Sequence, residues 1–204
     1  MNELKIRGVK KDKGGFTHLS FPKPENYAFT PGQYAILTFT AGDKPKYLAF
    51  ASHTTEADLL FVLRGDFSAG TEVAVSAPQG KGFSCDFGDT KPMLFLTHGT
   101  GISAIRPALI ERKKRGFEND VLLYGIASAA QEPELDCLAA DFGVEQLRAF
   151  SAAEYKAYVQ DRAHTLAVEH FGAVLLVGSK EMMASCREVL AAKGFPAEKV
   201  FSNY

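Results

Sequence analysis

The sequence predicts a β + α/β protein: a small antiparallel β-barrel followed by a parallel-sheet, three-layer α/β domain. Up to about residue 90, short β-type runs are punctuated by Gly and Pro turns, with no convincing long helix. After Lys91-Pro92 the period changes, and apolar strand-like runs alternate with helical patterns. Those later runs lack polar alternation, as strands buried on both faces do. The expected division is a barrel over residues 1–90 and an α/β domain over residues 91–204.

Taken in order, Leu4, Ile6 and Val9 suggest a first strand. Lys13-Gly14-Gly15 reads as a hairpin turn that returns through Phe16, His18 and Ser20. Thr30-Pro31-Gly32 turns into a β-branched and aromatic strand over residues 34–40. Gly42-Asp43-Lys44-Pro45 is another turn. KYLAFAS (46–52), DLLFVLRG (58–65) and AGTEVAVSAP (69–78) follow as strands, the last with Val73 and Val75 alternating. In the second half MLFLT (93–97), DVLLYGIAS (120–128), EQLRAFS (145–151) and AVLLVG (173–178) are strands. Between and after them lie helical patterns at 102–115, with Ile102, Ile105, Leu109 and Ile110 on one face, at 134–143, through TLAVEHF (165–171), and at 179–194 closed by Gly194. KVFSNY ends the chain.

Composition narrows the function. A net charge of -1 over 204 residues gives no electrostatic case for nucleic acid or an anionic membrane. The cysteines Cys85, Cys137 and Cys186 are scattered, with no CxxC pair and no iron–sulfur or zinc spacing. Such sparse usage suits a reducing compartment and thiols that act as small buried hydrophobes. The first residues hold no apolar signal core, and no segment approaches the ~20 apolar residues of a membrane span. A cytoplasmic protein is expected.

The stretch around Thr97-His98-Gly99-Thr100-Gly101-Ile102 joins an apolar strand to a helix through glycines. It aims backbone N–H groups and the positive end of a helix dipole at one point, where a pyrophosphate commonly sits. An ordinary βα turn uses glycine too, so both readings stand. In a parallel sheet, ligands bind outside the C-terminal strand ends, at the reversal in strand order. Two more strand ends carry glycine: Tyr124-Gly125-Ile126-Ala127-Ser128 and Val177-Gly178-Ser179-Lys180-Glu181-Met182. In the first half, Lys46-Tyr47-Leu48-Ala49-Phe50-Ala51-Ser52 can wall a flat ring or be a plain buried strand. Gly80-Lys81-Gly82-Phe83 can let backbone approach a ligand or be a plain glycine loop. The basic run Arg112-Lys113-Lys114-Arg115 reads as dipole complementation and a solvated face.

These residues resemble the ferredoxin–NADP⁺ reductase superfamily, in its order and over nearly the whole chain. FTPGQY (29–34) is similar to the F-x-P-G-Q-Y/F element of the flavin barrel, and GKGF (80–83) to the loop that closes it. THGTGISAIRPAL resembles the G-G-T-G-I-A-P nucleotide loop, LLYGIAS the L-x-Y-G-x-R/S strand, and VGSKEMM the C-G-P-x-x-M element. The resemblance implies an FAD-dependent NAD(P)H oxidoreductase that passes a hydride between nicotinamide C4 and flavin N5. FAD would lie between Gln33/Tyr34, residues 46–52 and Gly80, Lys81, Gly82 and Phe83. Gly99, Thr100, Gly101 and Ile102 would meet the nicotinamide dinucleotide, with Gly125 and Ser128 on its ribose or adenine side. Gly178, Ser179 and Met182 would border the nicotinamide. Tyr204 resembles the C-terminal aromatic that stacks on the flavin in some members, and equally fits a terminal residue packed on the last strand.

The chain also departs from the family pattern. Aligned on its Ala-Ser tail, the R-x-Y-S flavin motif falls on Lys46, Leu48 and Ala49. Lysine holds a phosphate only as a point charge, and Leu and Ala bring no hydroxyl, while Tyr47 and Phe50 could supply some ring contact. The segment is similar to the F-L-A-I-A-S version of some shorter members, which favours altered FAD contacts over loss. Arg64 and Ser68 are candidates for the missing pyrophosphate contacts. Ala104 stands at the family's Pro, and Val177 at its frequent Cys. Residues 128–134 hold no Arg or Lys but include Glu132 and Glu134, which leans to NADH. The electron-transfer subunits of dihydroorotate dehydrogenase B resemble this layout but carry a C-terminal cysteine cluster, absent here. A separate electron acceptor, such as another protein, is therefore expected. The alternatives are a catalytically silent relative that binds a nucleotide or a partner, and a subunit of a larger electron-transfer complex.

Overall fold

The computed structural model describes residues 1–11, 15–40, 42–125, 145–147 and 151–203. The first half forms two antiparallel sheets. Strands β1 (Asn2–Lys5), β4 (Tyr34–Thr38), β5 (Lys46–Ala49) and β7 (Glu72–Val75) make one, in the order β1-β7-β4-β5. Strands β2 (Gly8–Lys11), β3 (Phe16–Pro22) and β6 (Asp58–Arg64) make the other, in the order β2-β3-β6. The single first strand expected around Leu4, Ile6 and Val9 is two strands, one in each sheet. Ile6 is buried between them, and its N–H bonds the Thr71 carbonyl rather than a ladder partner. The inner faces of the sheets share a core of Leu19, Phe21, Leu37, Phe61, Val73 and Val75, with Phe29 and Phe50 stacked 4.0 Å apart.

The second half is a parallel sheet in the order β10-β9-β8-β11-β12. Its strands are β8 (Met93–His98), β9 (Val121–Gly125), β10 (Glu145–Leu147), β11 (Ala173–Val177) and β12 (Val200–Phe201). The helices are α1 (Ile102–Lys114), α2 (Ala152–Thr165) and α3 (Lys180–Ala192). The helical pattern expected over 134–143 lies outside the described residues. Side chains alternate between two cores, as apolar strands covered on both faces require. Met93 and Phe95 of β8, with Leu175 of β11, join α1 on one face. Leu94, Leu96, Val174 and Leu176 join α2 and α3 on the other.

The α1 core does not stop at the sheet. Ala51, Val62 and Phe83 of the barrel pack into it beside Ile102 and Ile105, so one apolar cluster runs through the joint between the halves. Polar ties close the joint at its edge. Arg106 donates to the Ala51 carbonyl (2.7 Å) and forks onto Glu56 (2.8 and 2.9 Å). His53, 2% exposed, donates from Nε2 to Glu111 (2.9 Å). No described helix is long and apolar enough to cross a membrane.

The basic run at the end of α1 is corrected in one member. Arg112 is 1% exposed and is no part of a solvated face. It pairs with Asp120 (2.7 and 2.8 Å), donates to the carbonyls of Phe87, Asp89 and Lys91, and lies over the Phe117 ring. It ties down the segment that links barrel to sheet.

Candidate functional site

Two cavities meet where the barrel faces the C-terminal ends of β8 and β11. The sheet order reverses between these strands, because β9 lies on one side of β8 and β11 on the other. The larger cavity, about 880 Å3, is walled by Tyr34 of β4, Tyr47 and Ala49 of β5, Gly80 to Gly82, and the tail from Val200 to Asn203. The smaller, about 320 Å3, has Leu48, Ala49 and Val62 on its barrel side, and His98, Thr100, Gly101 and Ser103 on its sheet side. Gly178 and Ser179 close its far end. Tyr47, Ala49 and Asn203 line both, so they form the seam.

The segment over residues 46–52, expected to wall a flavin, divides by strand register. Cross-strand pairing sets Tyr47 opposite Ile36 and Ala49 opposite Tyr34, while Lys46 and Leu48 stand opposite Leu37 and Ala35 on the other face. Tyr47, not the aligned Leu48, therefore brings a ring to the larger cavity. It stands 66% exposed, with its centroid 6.0 Å from that of Tyr34. Lys46 lines neither cavity. Phe50, Ala51 and Ser52 lie beyond the strand and are buried: Phe50 in the barrel core, Ala51 in the joint, and Ser52 as acceptor for the Leu60 N–H (3.1 Å). Arg64 and Ser68 also line neither cavity. Arg64 sits over the Phe16 ring, 4.2 Å from its centroid, and the Ser68 carbonyl accepts the Thr71 N–H.

The glycine loop is held from below by the FTPGQY turn. Tyr34 and Gln79 exchange backbone bonds, Gln33 Nε2 donates to the Gly80 carbonyl (2.8 Å), and the Phe83 N–H meets the Pro31 carbonyl (2.9 Å). Gly82 has φ +68°, and a Cβ there would stand 2.6 Å from the Pro31 oxygen. Only glycine lets the loop lie this flat on the turn. Phe83 is the wedge beneath it, buried in the joint core rather than at the cavity. Lys81 borders the larger cavity.

At the other end of the seam, β8 passes through a 3-10 turn over Gly99–Gly101 into α1. A Cβ on Gly101 would stand 2.6 Å from Thr97 Oγ1 and 2.7 Å from the Val177 carbonyl, so glycine lets α1 start against the end of β11. Thr100, Gly101, Gly178 and Ser179 reach the smaller cavity. Gly99 and Ile102 are buried behind it, and Met182 is buried with its sulfur against Gly178. Gly125 sits against the rings of Tyr155 and His98 and lines neither cavity. Ser128, Tyr204, Glu132 and Glu134 lie outside the described residues. The Tyr155 hydroxyl donates to the Leu123 carbonyl (2.7 Å), and burial drives its pKa well above the usual value. Burial likewise pushes the Cys85 and Cys186 thiols up to about 12, so neither is a thiolate nucleophile near neutral pH.

Sequence reasoning named His98 only as part of the loop stretch and gave no site role to Ser103 or Asn203. His98 is the last residue of a parallel strand, a position the strand-end rule points to directly. The Ser103 hydroxyl and the Asn203 carboxamide oxygen are closed to solvent and meet no partner among the described residues. Both residues border the smaller cavity, and a polar ligand there would give such an orphaned atom a partner once its side chain turned toward it. Together with the aromatic pair, the glycine cradle and the helix start, they fit a ring dinucleotide in the larger cavity and a second nucleotide in the smaller.

An antiparallel barrel joined to a parallel sheet that helices cover on both faces defines a β + α/β fold. The fold is that of the ferredoxin–NADP⁺ reductases. A ferredoxin NADP⁺ reductase from Neisseria gonorrhoeae with bound FAD and NADP superposes with a TM-score of 0.75 at 16% identity, over 100% of this chain and 98% of its own. The ferredoxin reductase in carbazole 1,9a-dioxygenase matches at TM-score 0.79 and 16% identity, over 98% of this chain and 68% of its own. An intact type IV self-sufficient cytochrome P450 monooxygenase matches at 0.75 and 15%, again over 98% of this chain, which spans only 27% of that protein. No protein-family model and no curated protein matches the sequence.

Proposed function

We propose that the chain is a flavin-dependent NAD(P)H oxidoreductase, built as a barrel over residues 1–90 and a nucleotide-binding domain over 91–204. The observation that carries this reading is the shared wall: Tyr47, Ala49 and Asn203 border both cavities, which supports two ligands held next to each other. Bound FAD supplies the hydride-accepting ring, and bound NADH or NADPH supplies the hydride.

The chain's own residues bind, orient and exclude water. Tyr34 and Tyr47 give the flavin an aromatic platform, and Lys81 sets a positive charge by the loop that would lie along its phosphates. The start of α1 and the N–H groups of the 3-10 turn favour the nicotinamide dinucleotide's pyrophosphate. Leu48, Ala49 and Val62 keep the barrel side of the seam apolar, which excludes water from a hydride path. The acidic Glu132 and Glu134 favour NADH, and electrons leave to a separate acceptor in the cytoplasm.

The test is a visible spectrum of purified protein supplied with FAD, before and after anaerobic NADH, repeated with NADPH. A band near ~450 nm that NADH bleaches is expected. Protein that takes up no FAD overturns the reading. A bound flavin that neither nucleotide bleaches assigns the chain to the catalytically silent alternative, which the absence of hydroxyls at Leu48 and Ala49 favours.

A further inference from the structure

We infer that Asn203 is the residue that hydrogen-bonds the heteroatom edge of the flavin at the seam and sets its tendency to accept electrons; this rests on the proposed function. Of the described side chains that line both cavities, Ala49 has no polar atom, and Tyr47 belongs to an exposed ring that walls the cavity. Asn203 alone of these brings a carboxamide, with an acceptor and a donor side by side.

The tail that carries it is held in place. Strand β12 pairs in parallel with β11 through Val174–Val200 and Leu175–Phe201. Arg187 of α3 donates to the Val200 carbonyl (3.3 Å) and reaches the Ser202 hydroxyl (3.5 Å). Asn203 follows directly, and its Oδ1 is shut from solvent with no partner among the described residues. A carboxamide oxygen in that state costs stability unless a ligand satisfies it. Asn203 lines the larger cavity as well as the smaller, which matches it to the flavin rather than to a nicotinamide confined to the second.

The chemistry gives the sign. The dihydronicotinamide loses a hydride and is oxidised; the hydride's two electrons and its proton arrive at the flavin ring nitrogen, which becomes an N–H. Oδ1 of Asn203 accepts that N–H, so it favours the reduced ring over the oxidised one. Losing the bond lowers the midpoint potential, and replacing the amide by a carboxylate lowers it too, because negative charge opposes electron gain.

The test uses the full chain loaded with FAD, with Asn203→Leu and Asn203→Asp beside the unaltered protein. Potentiometric titration and fluorescence-monitored FAD binding are the readouts. Asn203→Leu is expected to weaken reduction about tenfold in equilibrium constant, about 30 mV for a two-electron couple. Asn203→Asp, which keeps the shape, is expected to move the potential the same way. Midpoints and FAD affinity equal to those of the unaltered protein in both variants overturn the inference while the proposed function stands. A change in NADH affinity alone, with an unmoved midpoint, also overturns it and assigns the carboxamide to the nicotinamide. Failure of the unaltered protein to take up FAD overturns the proposed function and this inference together.

Discussion

Arg106 forks onto Glu56 across the joint between barrel and sheet, with both guanidinium nitrogens within 2.9 Å of the carboxylate. The relationship links the two halves of the site along the chain. Arg106 lies one helical turn beyond Ile102 and the glycine turn. Glu56 and the Ala51 carbonyl follow directly on the Tyr47–Ala49 wall. The same carboxylate accepts the His53 N–H, so a single side chain closes its own turn and anchors the neighbouring helix.

This joint makes the protein sensitive to acid. Burial alone would raise the Glu56 carboxyl, but the Arg106 and His53 hydrogen bonds outweigh it and hold the pKa below the ordinary 4.5. Glu111 is lowered as well, burial again opposing and the bonds from His53 and Arg115 prevailing. A carboxyl depressed in the folded state stabilises the fold above its unfolded value and loses that contribution as pH falls through the folded one. Urea midpoints are therefore expected to drop below about pH 4.5, with a shallower acid slope in Glu56→Gln. Arg106→Leu is expected to cost about 2 kcal/mol at neutral pH, the scale of a hydrogen-bonded charge pair of which one partner is partly solvated. An unchanged acid slope in Glu56→Gln would remove the joint from this account.

The glycine loop gives a comparison between two substitutions. Gly82→Ala places a methyl against the Pro31 oxygen at positive φ, and is expected to cost about 3 kcal/mol from strain and clash together. Gly116 also has positive φ, but open space surrounds it, so Gly116→Ala pays only the backbone term of about 1 to 2 kcal/mol. Chemical denaturation measures both. FAD affinity should fall about tenfold or more in Gly82→Ala and stay unchanged in Gly116→Ala. Equal effects on FAD affinity would separate the loop from the ligand.

The sequence showed the architecture because period is a local property. Alternation, glycine turns and apolar runs distinguish β8 from α1 without knowledge of what touches them. Side-chain direction within residues 46–52 was less legible. A motif aligned on its Ala-Ser tail puts Leu48 at the aromatic position, and only the pairing of Ala49 with Tyr34 shows that Tyr47 is the ring on the cavity face. Phe50 and Ser52 belong to the same apolar run, yet the strand stops at Ala49 and they turn into the core. Arg112 sits in a basic cluster that reads as surface, because its partners Phe87, Asp89 and Lys91 lie more than twenty positions away. Asn203 stayed unseen for the same reason: nothing local says that it borders two cavities.

Tyr47 tests whether the register of β5 matters for the ligand. Its ring is largely exposed, so Tyr47→Ala should leave the urea midpoint nearly unmoved. Removing the ring from a stacking wall should weaken FAD about tenfold, since aromatic pairs contribute about 0.5–1.5 kcal/mol beyond the area they bury. Tyr47→Phe keeps the ring and should keep the affinity. Leu48→Ala, on the other face, should weaken the fold more than it weakens FAD. The reverse order of effects would return the aromatic position to Leu48.

Arg112 and Lys113 are neighbours on α1 with opposite prospects. Arg112 has its charge out of water and satisfied by Asp120 and three linker carbonyls, and Asp120 also accepts the Met93 N–H that opens β8 (2.8 Å). Removing one partner of such a buried pair leaves the other uncompensated, at a cost of about 3–5 kcal/mol. Against a total stability of about 5–15 kcal/mol, Arg112→Leu should unfold at a far lower denaturant concentration or fail to accumulate as folded protein. Asp120→Asn keeps the side-chain volume but loses the charge and one of the two acceptor oxygens, and should fall between that variant and the unaltered chain. Lys113→Ala, at an exposed position, should stay within about 0.5 kcal/mol. Denaturation midpoints for the three variants decide the matter, because a solvated basic face would make Arg112 and Lys113 equivalent, whereas a linker knot ranks them Arg112, Asp120, Lys113.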